Sequence, residues 1–371
     1  MKRILAIAVT IALLLCCTCA SADSGVIGFT LEPITWDGAG LGKVAVPEGY
    51  TLNTTVNCCD DTTCLGAPLR VTVAALSDAD STILMFYASE TFIERVKSAN
   101  FKQKNGELDG QTMIFMQEYM DADAYVTARA AVIMSALAGS SNYNYYKDED
   151  ISRYDSLLDS HRKYFENLIF PQLGQYGMSA DWLEVTAAQK AFTFDLDGVT
   201  WAICVMAEVR GYQLSLGVGD VEILWDVPCY YAMICPLSEY ERIHATTFRV
   251  FAENTDVSDK FNELQDNLTY QIRDQVMNTW SMQIAASNAY VAAMNALMSA
   301  SVNSYLSSSS YSSSERFSDY IFDRNDYTTS DGYSVKISTG YDYVWEGGNG
   351  TVYFSNSAMD VPSGATMLTP N

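Results

Sequence analysis

An α+β fold is the expectation for this chain: an antiparallel sheet covered by helices, then one long helix, then a small β-meander module. Three observations lead to it. Strand-like and helix-like stretches come in blocks rather than in strict alternation. A stripe of apolar residues at helical spacing runs through residues 257–306. Beyond it, Ser307 to Ser314 holds seven serines and one tyrosine, and a short segment with aromatic residues at alternate positions follows.

The chain opens with Lys2 and Arg3, an apolar run from Ile4 to Cys17, and Ala20-Ser21-Ala22. That pattern predicts a signal peptide over 1–22, cleaved before Asp23, and so a secreted or extracytoplasmic protein. A lipoprotein is the alternative, because Cys16, Cys17 and Cys19 lie nearby. Lipidation favours a small residue before the cysteine, and Leu15, Cys16 and Thr18 stand there instead.

Residues 23–256 are expected to form the α/β sandwich. Val26 to Phe29 and Lys43 to Val46 are strand candidates, and Pro47-Glu48-Gly49-Tyr50 is a turn. Cys58 to Pro68 reads as a polar loop. Arg70 to Leu76 and Thr82 to Tyr87, around Ser77-Asp78-Ala79-Asp80, predict a hairpin. Glu90 to Ser98 predicts a short helix. Asp121 to Ala138 is Ala-rich, capped by Asp121 and closed by Gly139. Ser140 to Asp150 reads as a polar linker, and Ile151 to Phe170 as a second helix.

Leu183 to Leu196, Val199 to Leu216 and Val221 to Leu237 are rich in β-branched and aromatic residues and predict strands. Asp195-Leu196-Asp197-Gly198 supplies the hairpin turn between the first two. Ser238 followed by Glu241 has the spacing of a capping box before a helix over Glu239 to Glu253.

The stripe Val257, Phe261, Leu264, Leu268, Ile272, Val276, Trp280 continues to Tyr305 with no Pro or Gly between Val257 and Leu306. A straight helix of that length would span about 75 Å. Residues 307–316 read as a flexible linker. In 317–371, Tyr333, Val335 and Ile337 alternate, as do Tyr341, Tyr343 and Trp345, and Val352 to Ser355 returns after a glycine-rich turn.

Composition excludes some classes. Without Lys2 and Arg3, 20 basic side chains face 45 acidic ones, a net charge near −25. Nucleic acid requires the opposite sign. No apolar run after the N-terminal one reaches the length of a membrane span, so no transmembrane segment is expected after cleavage. Six cysteines remain: Cys58, Cys59, Cys64, Cys204, Cys229 and Cys235. An even number in an exported chain makes them disulfide candidates, with 15 pairings open.

Chemical motifs are scarce. Gly38 to Lys43 lacks the spacing of a phosphate loop, and Val44 stands where Ser or Thr would meet magnesium. His161 and His244, the two histidines of the chain, fall at polar positions of predicted helices and read as surface residues. Asp195 and Asp197 lack the closing Glu of a calcium loop. Asp323, Asn325, Asp326 and Asp331 suggest calcium by ligand type alone, and turn chemistry is the preferred reading because Asp and Asn favour turns anyway. No metal ligand set, cofactor or catalytic residue is assigned. The aromatic set Tyr341, Tyr343, Trp345 and Tyr353 is the candidate ligand-binding site, since rings on one sheet face can stack on sugars. The opposing reading makes them the core of a small module.

Gly340-Tyr341-Asp342-Tyr343-Val344-Trp345, a glycine turn and Val352-Tyr353-Phe354-Ser355, with Val46-Pro47-Glu48-Gly49-Tyr50 upstream, resemble a class of exported bacterial proteins. Those have a PsbP-like α/β N-terminal domain, a long helix and a C-terminal aromatic β tail. The resemblance implies a layout and no activity. The functional expectation is an exported non-catalytic binding or scaffold protein, with a cell-wall glycan or a surface protein as partner. The alternative is an exported hydrolase that uses an acidic pair in the α/β domain.

Overall fold

The computed structural model describes residues 27–58, 68–98, 102–109, 114–138, 143–174, 178–216, 220–258, 260–265, 267, 268, 271, 324–338, 341–357 and 361–370. The expected signal peptide, Cys59, Cys64, the serine linker and most of the expected long helix lie outside them.

The fold-class expectation is corrected: among the described residues the protein is mostly β, 52% strand against 25% helix, with several sheets and no long helix. Val257, the first residue of the apolar stripe, is in a strand. It belongs to the short β13 (Asp256–Val257), which pairs with β2 (Ala39–Pro47). Helical turns begin only at residue 260. Helical spacing of apolar residues therefore did not make this start of the stripe helical. The β2 backbone offers Val257 a ladder, and a Cβ on Gly42 would sit 2.2 Å from the Asp256 carbonyl oxygen, so the two strands can meet only because Gly42 has none.

The larger sheet is built on β10 (Val199–Leu216). Along one side runs β9 (Met178–Leu196), and Asp197 and Gly198 join the two with positive φ, the geometry of a tight hairpin turn. On the other side lie β12 (Tyr230–Pro236) and β11 (Val221–Val227), end to end against successive halves of β10. Pro228 breaks the single strand expected there, since it can neither donate to a ladder nor continue one. From β12 the sheet continues through β5 (Thr82–Ala88) and β4 (Leu69–Ser77) to β3 (Thr51–Cys58). From β11 it continues to β6 (Glu90–Lys97) and β7 (Phe115–Met116), and β8 (Tyr143–Asp148) edges β9.

Two segments expected to be non-strand are thus strands. β6 was expected as a helix. Its alternation buries Ile93 and Arg95 while β11 supplies the ladder, and pairing outweighs local propensity. β8 was expected as a linker. Helix α1 (Ala122–Ala138) begins where Asp121 predicts it, with Ala124 N–H donating to Asp121 Oδ1 at 2.8 Å. Its Ala122, Val126, Ala130 and Met134 pack on the sheet. Two further helical runs cross the sheet. Run α2 spans 152–174 with a π-helical turn at Phe165–Ile169, and run α3 spans 237–254 with one at His244–Phe248. No side chain caps the start of α3, so Ser238 and Glu241 form no capping box.

The second sheet joins both ends of the described chain, in the order β13-β2-β1-β17-β16-β18. Here β1 is Ile27–Trp36, β16 Tyr343–Glu346, β17 Val352–Ser355 and β18 Thr366–Met367. The tail is therefore not the separate β-meander module expected. Gly28 lies opposite Tyr353, and a Cβ there would meet the Tyr353 ring at 2.9 Å. The hairpin of β14 (Arg324–Thr328) and β15 (Ser334–Ser338) adds Tyr327, Val335 and Ile337 to a core with Phe29, Val250 and Phe354. Asn254 at the end of α3 clamps β15: its Nδ2 donates to the Lys336 carbonyl and its Oδ1 accepts from the Lys336 N–H.

A cleft between helices and sheet

The π-helical runs α2 and α3 approach the sheet without closing on it. The α-helical part of α2, Asp155–Tyr164, has no fully buried residue, although Leu157 and Leu158 face inward. Opposite them β9 presents Ala187, too small to fill the space, beside Met206 and Glu208 of β10. A cleft of about 270 Å³ remains, walled by Ile151, Leu157, Leu158, Met206 and Tyr231. Its polar border holds Glu208, Glu253, Asp256, Lys43 and Lys336. A second chamber of about 210 Å³ adjoins it across Tyr154, Met206, Ala252 and Glu253.

The charges of the border have partners within the protein. Lys43 Nζ donates to the Ser334 carbonyl at 3.1 Å, and Arg249 Nε donates to Glu253 Oε1 at 2.9 Å. His161 Nδ1 lies 2.7 Å from Glu208 Oε1, both side chains being 19% exposed. Burial pulls the Glu208 carboxyl upward, but His161 and Arg210 outweigh it and hold it below its ordinary value. An ionised carboxylate can only accept, so His161 carries a proton on Nδ1. Cys229 also lines the cleft, and burial pushes its thiol up to about 12. It is a poor nucleophile at neutral pH.

A depressed carboxyl stabilises the fold above its unfolded value, near about 4.3. That contribution is lost as pH falls through the lower folded value. Glu208→Gln is expected to cost about 1–3 kcal/mol at neutral pH. The gap in Tm between the wild type and the variant should narrow as pH falls below about 4. A gap that stays constant over that range would refute the pairing.

The floor of the second chamber is a buried polar chain. Gln189 Nε2 lies 2.7 Å from His244 Nε2 and 3.4 Å from Cys204 Sγ. The His244 ring stacks on Tyr240 at 5.5 Å and 7°. Tyr240 donates to Glu149 Oε1 at 2.7 Å, and Lys147 Nζ reaches the same oxygen at 2.8 Å. Burial raises the Glu149 carboxyl, and Lys147 and Tyr240 bring it below its ordinary value. Burial also pushes the Cys204 thiol up to about 12.

Both histidines, expected at the surface, thus sit half-buried at this cleft. Sequence reasoning missed them because their partners, Glu208 and Gln189, come from strands 47 and 55 residues away. His244 opens the π-helical turn of α3 and His161 lies in the α-helical turn ahead of that of α2, and nothing local in the sequence marks such turns. The aromatic set lies elsewhere. Tyr343 and Trp345 stack at 5.8 Å on one face of the β16–β17 hairpin, opposite Tyr353, and Trp345 is only 4% exposed. Tyr341 instead packs on Phe354 at 4.5 Å.

Among the described cysteines, Cys204, Cys229 and Cys235 form no disulfide. Cys204 pairs with Met233 and Cys235 with Ala202, which offsets the two thiols by two positions along the ladder. Among the described residues no group of His, Cys, Asp and Glu could hold a metal ion, and no helix is long and apolar enough to cross a membrane. Comparison of the chain with protein-family models, with curated proteins and with solved structures finds no match. Fold and site together define a β-rich protein with a helix-roofed, two-chambered cleft.

Proposed function

We propose that this is an exported, non-catalytic binding protein that holds the apolar body of a small molecule in the cleft between α2 and the sheet. The observation that carries this is the unfilled space itself. Leu157 and Leu158 face Ala187 and Met206 across about 270 Å³. Apolar walls with a few polar groups at the border are the usual make-up of a small-molecule site. Natural cores pack without such gaps, so a gap with apolar walls argues for an occupant. In the hydrolase alternative one carboxyl must stay protonated, a role that Glu208, held below its ordinary value beside His161 and Arg210, does not suit. The cleft is preferred to the aromatic hairpin because Trp345 is nearly covered.

The test uses N-phenylnaphthylamine, an uncharged apolar dye that fluoresces when it leaves water. Titrated with the wild type, its emission is expected to rise and saturate. Ala187→Phe, which fills the wall, should weaken binding about tenfold or more. Equal binding by the variant, or none by the wild type, would sink the reading.

A further inference from the structure

Gln189 is 3% exposed and lines the second chamber, yet its Oε1 has no hydrogen-bond partner among the described residues. Its Nε2 is already taken up by His244 and Cys204. Turning the amide over does not cure this. The oxygen would then face His244 and Cys204, and the NH₂ would be the atom left over. Either way one polar atom of a buried amide lacks a partner, at a chamber of about 210 Å³. Buried polar atoms are otherwise almost always paired. The space far exceeds the roughly 10–15 Å³ that one water needs.

A hydroxyl both donates and accepts, so it satisfies the amide in either orientation. The charged residues of the chamber, Arg249 and Glu253, are bonded to each other at 2.9 Å. A ligand head with a full charge would lose its water there and find its counter-charge already paired. We infer that the second chamber takes the uncharged, hydroxyl-bearing head of an amphiphile, a sugar or polyol, whose apolar body lies in the first. This deepens the cleft reading and rests on it.

The experiment compares octyl glucoside, octyl sulfate and octyltrimethylammonium by calorimetry below their micelle concentrations, on the mature chain. Octyl glucoside should bind at least about tenfold tighter than either charged head, and should displace N-phenylnaphthylamine. Gln189→Leu should weaken octyl glucoside about tenfold more than it weakens the dye. Charged heads binding as tightly, or the variant losing both probes equally, would overturn the inference while leaving the cleft reading intact. Failure of the dye with the wild type would overturn both. If Gln189→Leu does not fold, the His244 ring ¹⁵N resonances of the wild type decide: they should shift on adding octyl glucoside. No shift would mean that the chamber holds water only, which also overturns the inference.

Discussion

Arg95→Met is expected to destabilise the protein by about 3–5 kcal/mol, enough to unfold many domains outright. Arg95 sits in β6, where its register partner in β11 is Glu222. Its guanidinium donates to Asp109 at 3.0 and 2.7 Å and also meets Glu222. Arg95 is 5% exposed, and Asp109 and Glu222 are fully buried. Removing Arg95 takes away the guanidinium that both buried carboxylates meet, which is far costlier than losing the pairing energy alone. The control is the triple variant Arg95→Met, Asp109→Leu, Glu222→Leu. Apolar replacement of a whole buried ionic cluster is often neutral, so the triple should recover much of the stability lost by the single change. Urea unfolding of both measures this. A single variant within about 1 kcal/mol of the wild type would show that the cluster is hydrated instead.

The second large effect is expected from Phe354→Ala, at about 3–5 kcal/mol. Phe354 is fully buried in β17, edge-on to Phe29 of β1 at 6.3 Å and to Tyr341 at 4.5 Å. Because β17 is hydrogen-bonded to β1, the loss should be felt by the whole protein. Calorimetry should show one transition that moves down as a unit. A new early transition, with the main one unmoved, would mean that the tail melts by itself and that the shared sheet contributes little to the body. Trp345→Ala tests the other face of the same hairpin and should also destabilise, since Trp345 is covered.

Much of the local structure was legible in the chain. The Asp197-Gly198 turn, the β4–β5 hairpin and the Asp121 cap each depend on residues within a few positions of one another. Their chemistry is local: positive φ, alternation, a carboxylate over exposed N–H groups. Apart from the capping box at Ser238 and the break at Pro228, both local, the failures have the opposite character. β6 looked helical because Glu and Arg are good helix formers, and β11, more than 120 residues on, made it a strand. The tail looked like a module because its aromatics alternate, but its partner strand is β1, at the far end of the described chain.

The candidate site divides along the same line. The sequence by itself determined the acidic surface, the cysteine count, the turns and the apolar faces of the helices. None of those needs a partner distant in the chain. Only the tertiary structure decided that Leu157 and Leu158 would face the small Ala187 across an open cleft, that His161 would meet Glu208, and that Gln189 would be buried with one polar atom unmet. A cavity is a difference between the volumes of facing elements. It is set by the distance at which the backbones come to rest, and no single stretch of sequence carries that distance.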